Sequence, residues 1–195
     1  MGFWADLEAI SERYSVLRHP FYLRWSDGTL ELDELANYAG QYRHAVVALS
    51  EAAAAAARSP EAGADVTVLA EHADEEAGHV DLWNRFTTAV GGDPGAEPSP
   101  ETMACASVWS GDGSRPLLHS LTAMYMIESA QPAISATKQA GLVKYYGIPG
   151  AEYFEVHQQR DVEHAAELRE LIEKRLPGAD QDALLATAED VLKAN

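Results

Sequence analysis

Residues 153–164 read YFEVHQQRDVEH, a stretch in which His157, Asp161 and His164 follow one another at spacings of four and three residues. On an α-helix these three side chains lie within about 60° of one another. Tyr153 and several leucines further along share the same stripe, so the triad is predicted to be buried. Burying two imidazoles and a carboxylate is costly unless their charge and lone pairs are compensated, either by a closed network of hydrogen bonds or by a metal ion. These ligand types suit iron, manganese or zinc.

The composition is that of a globular protein, with 195 residues, 47% apolar and 23% charged. No stretch approaches the roughly 20 apolar residues of a membrane span, and the start MGFWADLEAI lacks the basic and apolar regions of a signal peptide. The single cysteine, Cys105, excludes an internal disulfide framework and favours a cytoplasmic location. A net charge of −17 without a basic patch argues against nucleic acids and anionic membranes as partners.

Helical periodicity runs through the chain, and no alternating strand pattern interrupts it. We predict helices over about 3–17, 32–57, 60–90, 100–109, 115–146, 153–176 and 181–193. The expected fold is therefore all-α, a single domain over residues 1–195. Pro132 lies inside the fifth helix and predicts a kink, because the carbonyl of Glu128 loses its helical hydrogen bond there.

Two further helices carry candidate metal ligands in addition to those of the triad. Glu128 lies among apolar neighbours in SLTAMYMIESAQPAIS, where a carboxylate needs a partner. In EHADEEAGH, Glu75 and Glu76 precede His79 by four and three residues, and His72 precedes it by seven on the same face. Helical bundles build dimetal sites from Glu-x-x-His pairs and lone glutamates on facing helices. We therefore expect two metal ions bound by three histidines and three carboxylates, with Glu75 and Glu76 as alternatives. Iron is the first choice for such ligands when dioxygen is the reactant, and manganese is the second. The number of ligands does not exclude a zinc-dependent hydrolase.

The segments DEEAGHVDLWNRF, MIESAQPAISATKQAGLVKYYGIP and YFEVHQQRDVEH resemble the haem-oxygenase-like dimetal oxidases, which share their fold with the TenA thiaminases and the PqqC cofactor oxidase. Within this family the chain is most similar to the type of the Chlamydia protein associating with death domains. The resemblance implies a seven-helix bundle without haem, two metal ions (Fe/Fe or Mn/Fe), dioxygen and an external reductant as reactants, and a homodimer. It implies the ligands Glu75, His79, Glu128, His157, Asp161 and His164. The family usually has about three more residues between the glutamate and the histidine than DEEAGH has, so Glu76 stays an alternative to Glu75.

The resemblance also implies an activity. Proteins of this type are held to make p-aminobenzoate for folate by consuming one of their own tyrosines, with a lysine as the proposed amine donor. The matching residues are Tyr22, in HPFYLRW, and Lys138, ten residues after Glu128. Tyr38 and Tyr153 match other tyrosines near that site. Independently of the resemblance, a buried lysine at position 138 would have reason to shift its pKa.

Two other functions are open at this stage. The same scaffold could be an oxygenase that acts on an external amine, amino acid or fatty acid, with Tyr22 and Lys138 as packing residues. A non-enzymatic protein-interaction module is the alternative of another class. Thiamine hydrolysis of the TenA type is not expected, because it needs a nucleophilic cysteine and Cys105 lies outside the predicted metal-binding helices.

Overall fold

The chain consists of helices joined by turns and loops over residues 2–148 and 151–195, the part that the computed structural model describes. Its α-helices are α1 (Phe3–Arg13), α2 (Pro20–Asp27), α3 (Leu32–Ala57), α4 (Val66–Ala89), α5 (Pro100–Ser110), α6 (Leu117–Glu128), α7 (Gln131–Gly141), α8 (Glu152–Arg175) and α9 (Gln181–Ala194). The predicted all-α class is confirmed. Among these described helices, none combines the length and the apolar character needed to cross a bilayer.

The helices pack around two apolar clusters. Helix α3 lies against α4 and α5, while α8 lies against α6 and α7. The alanine run at the end of α3 is part of the larger cluster, because the small side chains of Ala52, Ala53 and Ala56 are buried among the neighbouring helices. The second cluster contains Trp25, Trp83 and other large aromatic side chains. It joins α2, α3, α4 and α8.

The segment HPFYLRW forms a helix of its own, α2, which the sequence pattern did not predict. The first helix ends at Arg13 and not near Leu17. Pro20 begins α2 at a position where its missing N–H is no loss, and the ring of His19 accepts a hydrogen bond from the backbone N–H of Phe21. Gly28 ends the helix with a φ of 69°, which a glycine adopts without strain. Helix α2 turns Tyr22 into the protein interior.

Pro132 divides the predicted fifth helix in two. Helix α6 ends at Glu128, and α7 begins at Gln131. The reason is the one expected, since proline offers no N–H to the carbonyl four residues before it. Helix α7 then continues into a single π-helical turn, Leu142–Tyr146. The break places Glu128 at the very end of α6, so its carboxylate meets α4 and α8, while Lys138 belongs to a separate helix.

Candidate metal centre

Helices α4 and α8 carry the same pattern of donors on facing sides. The spacing of His72, Glu76 and His79 on α4, four residues and then three, equals that of the triad on α8. Each helix therefore presents three donors from a single face. The rings of His72 and His164 stack at 4.2 Å between centroids. All six side chains, and that of Glu128, are buried.

The first group of donors joins α4, α6 and α8. The donor atoms of His72, Glu128 and His164 lie within 4.8 Å of one another. Glu128 Oε1 is 3.2 Å from His72 Nε2, and Glu128 Oε2 is 3.6 Å from His164 Nδ1. The group thus offers two imidazole nitrogens and a carboxylate to one cation.

The second group joins α4 and α8 alone. The donor atoms of Glu76, His79 and His157 also lie within 4.8 Å of one another, and Glu76 Oε1 is 3.0 Å from His79 Nδ1. His157 Nδ1 lies 2.6 Å from the backbone carbonyl oxygen of Tyr153. When Nδ1 carries the proton and donates it to that carbonyl, Nε2 has the lone pair that a metal needs.

Glu75 and Glu76 have different surroundings, although they are adjacent in sequence. Glu76 is 1% exposed and points into the second group. The carboxylate of Glu75 points the other way, with a side chain 36% exposed, and binds the guanidinium of Arg160 at 2.6 and 2.7 Å. Its Oε2 is also 3.1 Å from His164 Nε2, so it can accept the proton of that nitrogen and leave Nδ1 free to bind a cation. The structure thus gives Glu75 an outer position behind a donor histidine.

The two donor groups and Asp161 together form a cluster of seven buried residues. The hydrogen bonds that these residues lack indicate whether cations fit among them. Ten buried side-chain nitrogen or oxygen atoms of the described chain have no hydrogen-bond partner, and nine of them belong to the seven residues of this cluster. Both carboxylate oxygens of Asp161 and both of Glu128 are among the nine. Leaving so many buried polar atoms unpaired is costly, and cations bound to them would remove that cost. The donor set therefore fits two divalent metal ions.

Electrostatics supports the same conclusion. Burial raises the pKa of Asp161 to about 10, and the carboxylates of Glu128 and Glu76 add to the effect. A nearby cation would reverse this shift and keep the carboxylate ionised. Burial lowers the pKa of both His157 and His164 to about 4, so these imidazoles are neutral at pH 7, the form that binds metals.

His72 was not among the ligands predicted from the sequence, and the structure places it in the first group. The repeated spacing on α4 and α8 is the signal that could have identified it. Glu75 precedes His79 by four residues. A spacing longer by three residues, counted back from His79, leads to position 72, where the chain has a histidine.

A second buried constellation surrounds Lys138, which is 2% exposed. Its Nζ lies between 4.7 and 5.9 Å from six ring centroids. We call these rings the aromatic cage: Tyr22, Trp25, Tyr38, Tyr42, Trp83 and Phe154. Lys138 Nζ donates to Tyr38 Oη at 2.7 Å, and Tyr38 Oη is 3.1 Å from Tyr22 Oη. Burial lowers the pKa of Lys138 to about 7 and raises that of Tyr22 to about 12. Near neutral pH an appreciable share of the lysine is the free amine, whereas the phenol stays protonated.

The aromatic cage is in continuous contact with the metal centre. The ring of Tyr153 stacks on that of His157 with 3.8 Å between centroids. Trp83 lies 4.7 Å from Tyr153 and 4.9 Å from Tyr42. Tyr42 in turn stacks on Tyr38 at 5.3 Å. A chain of oxidisable rings therefore connects a candidate metal ligand to the hydroxyl pair of Tyr38 and Tyr22.

Comparisons with known proteins define the class to which this chain belongs. The model of a family described as iron-containing redox enzymes matches residues 36–195. The chain therefore belongs to this family, is an oxidoreductase, and uses a metal cofactor. The fold agrees: a TenA homologue from P. horikoshii and a haem-oxygenase-like domain from Shewanella denitrificans each superimpose with a TM-score of 0.80 at 19% identity. All of this chain is covered in both cases, with 94% and 88% of the respective neighbours. The predicted haem-oxygenase-like fold is confirmed.

Two relatives share more sequence identity with this chain than the structural neighbours do, and both are 4-aminobenzoate synthases. The 4-aminobenzoate synthase of Chlamydia muridarum is 32% identical over 100% of this chain and 87% of its own length. That of Nitrosomonas europaea is 31% identical, with 95% of this chain and 85% of the relative covered. The resemblance inferred from the sequence is thereby confirmed.

Proposed function

We propose that this protein synthesises 4-aminobenzoate from its own Tyr22, with the side chain of Lys138 as the source of nitrogen. The observation that carries the proposal is the link between these two residues. A lysine with a pKa near neutrality is hydrogen-bonded through Tyr38 to Tyr22 inside the aromatic cage. A structural role alone gives no reason to bury a lysine without a carboxylate partner.

The proposed metal ligands are the two donor groups described above. His72, Glu128 and His164 would hold one ion and Glu76, His79 and His157 the other. Asp161, whose two buried carboxylate oxygens have no hydrogen-bond partner, would be a further ligand. Nitrogen and carboxylate donors suit iron and manganese, so we propose an Fe/Fe or Mn/Fe pair. When bound, the metals supply oxidising power from dioxygen and an external reductant. Cytoplasmic location and a homodimer remain predictions.

In this proposal the chain of rings would offer an electron path between Tyr22 and the residues that would hold the metals. Oxidising a phenol with a pKa of about 12 requires that its proton leave with the electron. The Tyr22 hydroxyl can pass its proton to Tyr38 Oη, and the free amine of Lys138 can accept the proton of Tyr38, because Nζ is 2.7 Å away. Rings of the cage together with Tyr153 therefore provide an electron path, and Lys138 provides a proton acceptor.

Lys138 reacts as an amine only in its neutral form, so a proton that Nζ has accepted from Tyr38 has to leave before the nitrogen is transferred. Burial away from water lowers the pKa of Lys138 to about 7, so a share of the amine is unprotonated near neutral pH and lies close to the tyrosine that it would aminate. On this basis the yield of 4-aminobenzoate in one reaction cycle is expected to rise as the pH passes through about 7.

The test is isotopic labelling of the protein. Protein that contains ring-¹³C-tyrosine and side-chain ¹⁵N-lysine is loaded with iron and manganese, supplied with reductant and exposed to air. We expect 4-aminobenzoate that carries both labels, and a loss of mass from the peptide that contains Tyr22. Tyr22→Phe is expected to abolish the product, whereas Tyr145→Phe, at an exposed position, leaves it unchanged. Unlabelled product, or full product from Tyr22→Phe, would refute the proposal.

A further inference from the structure

A cavity of about 680 Å³ opens at the surface beside Tyr22. It lies where the end of α1, the start of α2 and the end of α9 meet. Five tyrosine and phenylalanine residues, Tyr14, Phe21, Tyr22, Tyr38 and Tyr42, form part of its lining. Three residues of the aromatic cage, Tyr22, Tyr38 and Tyr42, thus line the cavity, and its volume is sufficient for a single benzene ring with its substituents.

The charge of this cavity is opposite to that of the protein. The chain has 31 acidic and 14 basic residues, yet Arg13, Arg18 and Lys193 line the cavity, and no Asp or Glu is among its described lining residues. Glu189, outside the lining, lies 3.7 Å from Arg13. Within the described chain, neither Arg18 nor Lys193 has a side-chain carboxylate within 4.0 Å. The lining cations are thus largely free to bind an anion.

From this arrangement we infer that the cavity binds a small aromatic carboxylate. Tyrosine and phenylalanine rings pack against an aromatic ring, while guanidinium and ammonium groups bind a carboxylate at its end. The identity of the ligand rests on the proposed function, because 4-aminobenzoate formed from Tyr22 would be such a molecule and would be released beside this cavity. The site therefore receives the product as it leaves.

The test is direct binding to the full, metal-loaded protein kept free of dioxygen, so that no product forms. Isothermal titration uses three probes: 4-aminobenzoate, benzoate, and the uncharged 4-aminobenzamide. We expect both carboxylates to bind at one site per chain, and the amide to bind at least about tenfold more weakly because it lacks the charge-assisted hydrogen bonds. Inorganic phosphate tests whether any anion suffices, and it is expected not to displace benzoate.

Variants locate the binding site. Arg18→Gln combined with Lys193→Gln should weaken benzoate binding by about tenfold or more, while Arg58→Gln, an exposed arginine away from the cavity, leaves it unchanged. Equal affinity for the carboxylate and the amide, displacement by phosphate, or unchanged binding in the double variant would overturn the inference. If benzoate binds as expected but no 4-aminobenzoate is made in air, the proposed function fails and the cavity site stands. If product forms but no carboxylate binds, the inference fails alone.

Discussion

Replacing Lys138 by methionine is expected to stabilise the protein. Methionine has nearly the length of lysine without the Nζ atom, so the aromatic cage remains filled. The change removes an ionisable group that is 2% exposed and has no carboxylate partner within the described chain. A functional lysine held in an apolar environment lowers the free energy of unfolding, and its removal should raise it.

The magnitude follows from the pKa of the lysine. A factor of ten in the dissociation constant corresponds to about 1.4 kcal/mol, so lowering the pKa from 10.5 to about 7 corresponds to a cost of about 5 kcal/mol in the charged form. The surrounding rings favour the ammonium ion, and the hydrogen bond to Tyr38 contributes about 1 kcal/mol. We therefore expect a net gain of about 2 to 4 kcal/mol below pH 7.

The gain should depend on pH with a definite sign. Below pH 7 the lysine is protonated in both the folded and the unfolded states, and its cost is fully present. Between a pH of about 7 and 10.5 the unfolded chain holds a proton that the folded chain does not, so the wild type becomes more stable relative to the variant as pH rises. The difference between the two proteins should therefore shrink over this interval.

Urea unfolding of both metal-free proteins at pH 6, 7.5 and 9, followed by far-ultraviolet circular dichroism, measures this difference. Comparing the two proteins cancels the titration of the groups that they share. Lys144→Met is the control, because that lysine is exposed, and it should show no such trend. A Lys138→Met protein that is less stable than the wild type, or a difference that does not change with pH, would refute the reasoning.

Four further substitutions test the structure. His72→Ala should lower the bound metal from about two ions per chain to about one, measured by elemental analysis; unchanged content would remove His72 from the ligand set. Glu76→Gln should likewise lose an ion, whereas Glu75→Gln should only weaken metal binding by about 10- to 100-fold in a chelator competition, and the reverse order would contradict their assignment. Gly141→Ala should lower the free energy of unfolding by about 1 to 3 kcal/mol, because the added Cβ would lie 2.6 Å from the indole Cδ1 of Trp25. Unaltered urea unfolding would show that the indole can move aside.

The triad on α8 was predictable because the spacing of residues on a helix determines their directions. His157, Asp161 and His164 needed no knowledge of the fold to be placed on one buried face. The helix break at Glu128 was predictable for a related reason. Pro132 has no N–H to donate to the carbonyl four residues before it, and this effect is local. These positions depend on backbone geometry alone.

The choice between Glu75 and Glu76 could not be made from the sequence. On a helix, both side chains point in nearly the same direction as that of His79. Which of them faces the other donors depends on how α4 is rotated against α8, where Arg160 attracts the carboxylate of Glu75. Helix α2 was missed because its eight residues are too few for a periodic pattern. Its position is determined by packing of Trp25, whose indole N–H donates to the backbone carbonyl of Lys138.

The two donor groups are alike in chemical type, since each has two imidazoles and one carboxylate, and this likeness has a consequence for metal selectivity. Preference for one element over another at either position must come from the atoms behind the ligands. His164 is backed by the carboxylate of Glu75, whose charge is shared with the guanidinium of Arg160, whereas His157 is backed by the neutral carbonyl of Tyr153. A histidine with an anionic partner is the more basic donor and stabilises a higher oxidation state. The position bound by His164 should therefore be the one at which the reduction potential is lower.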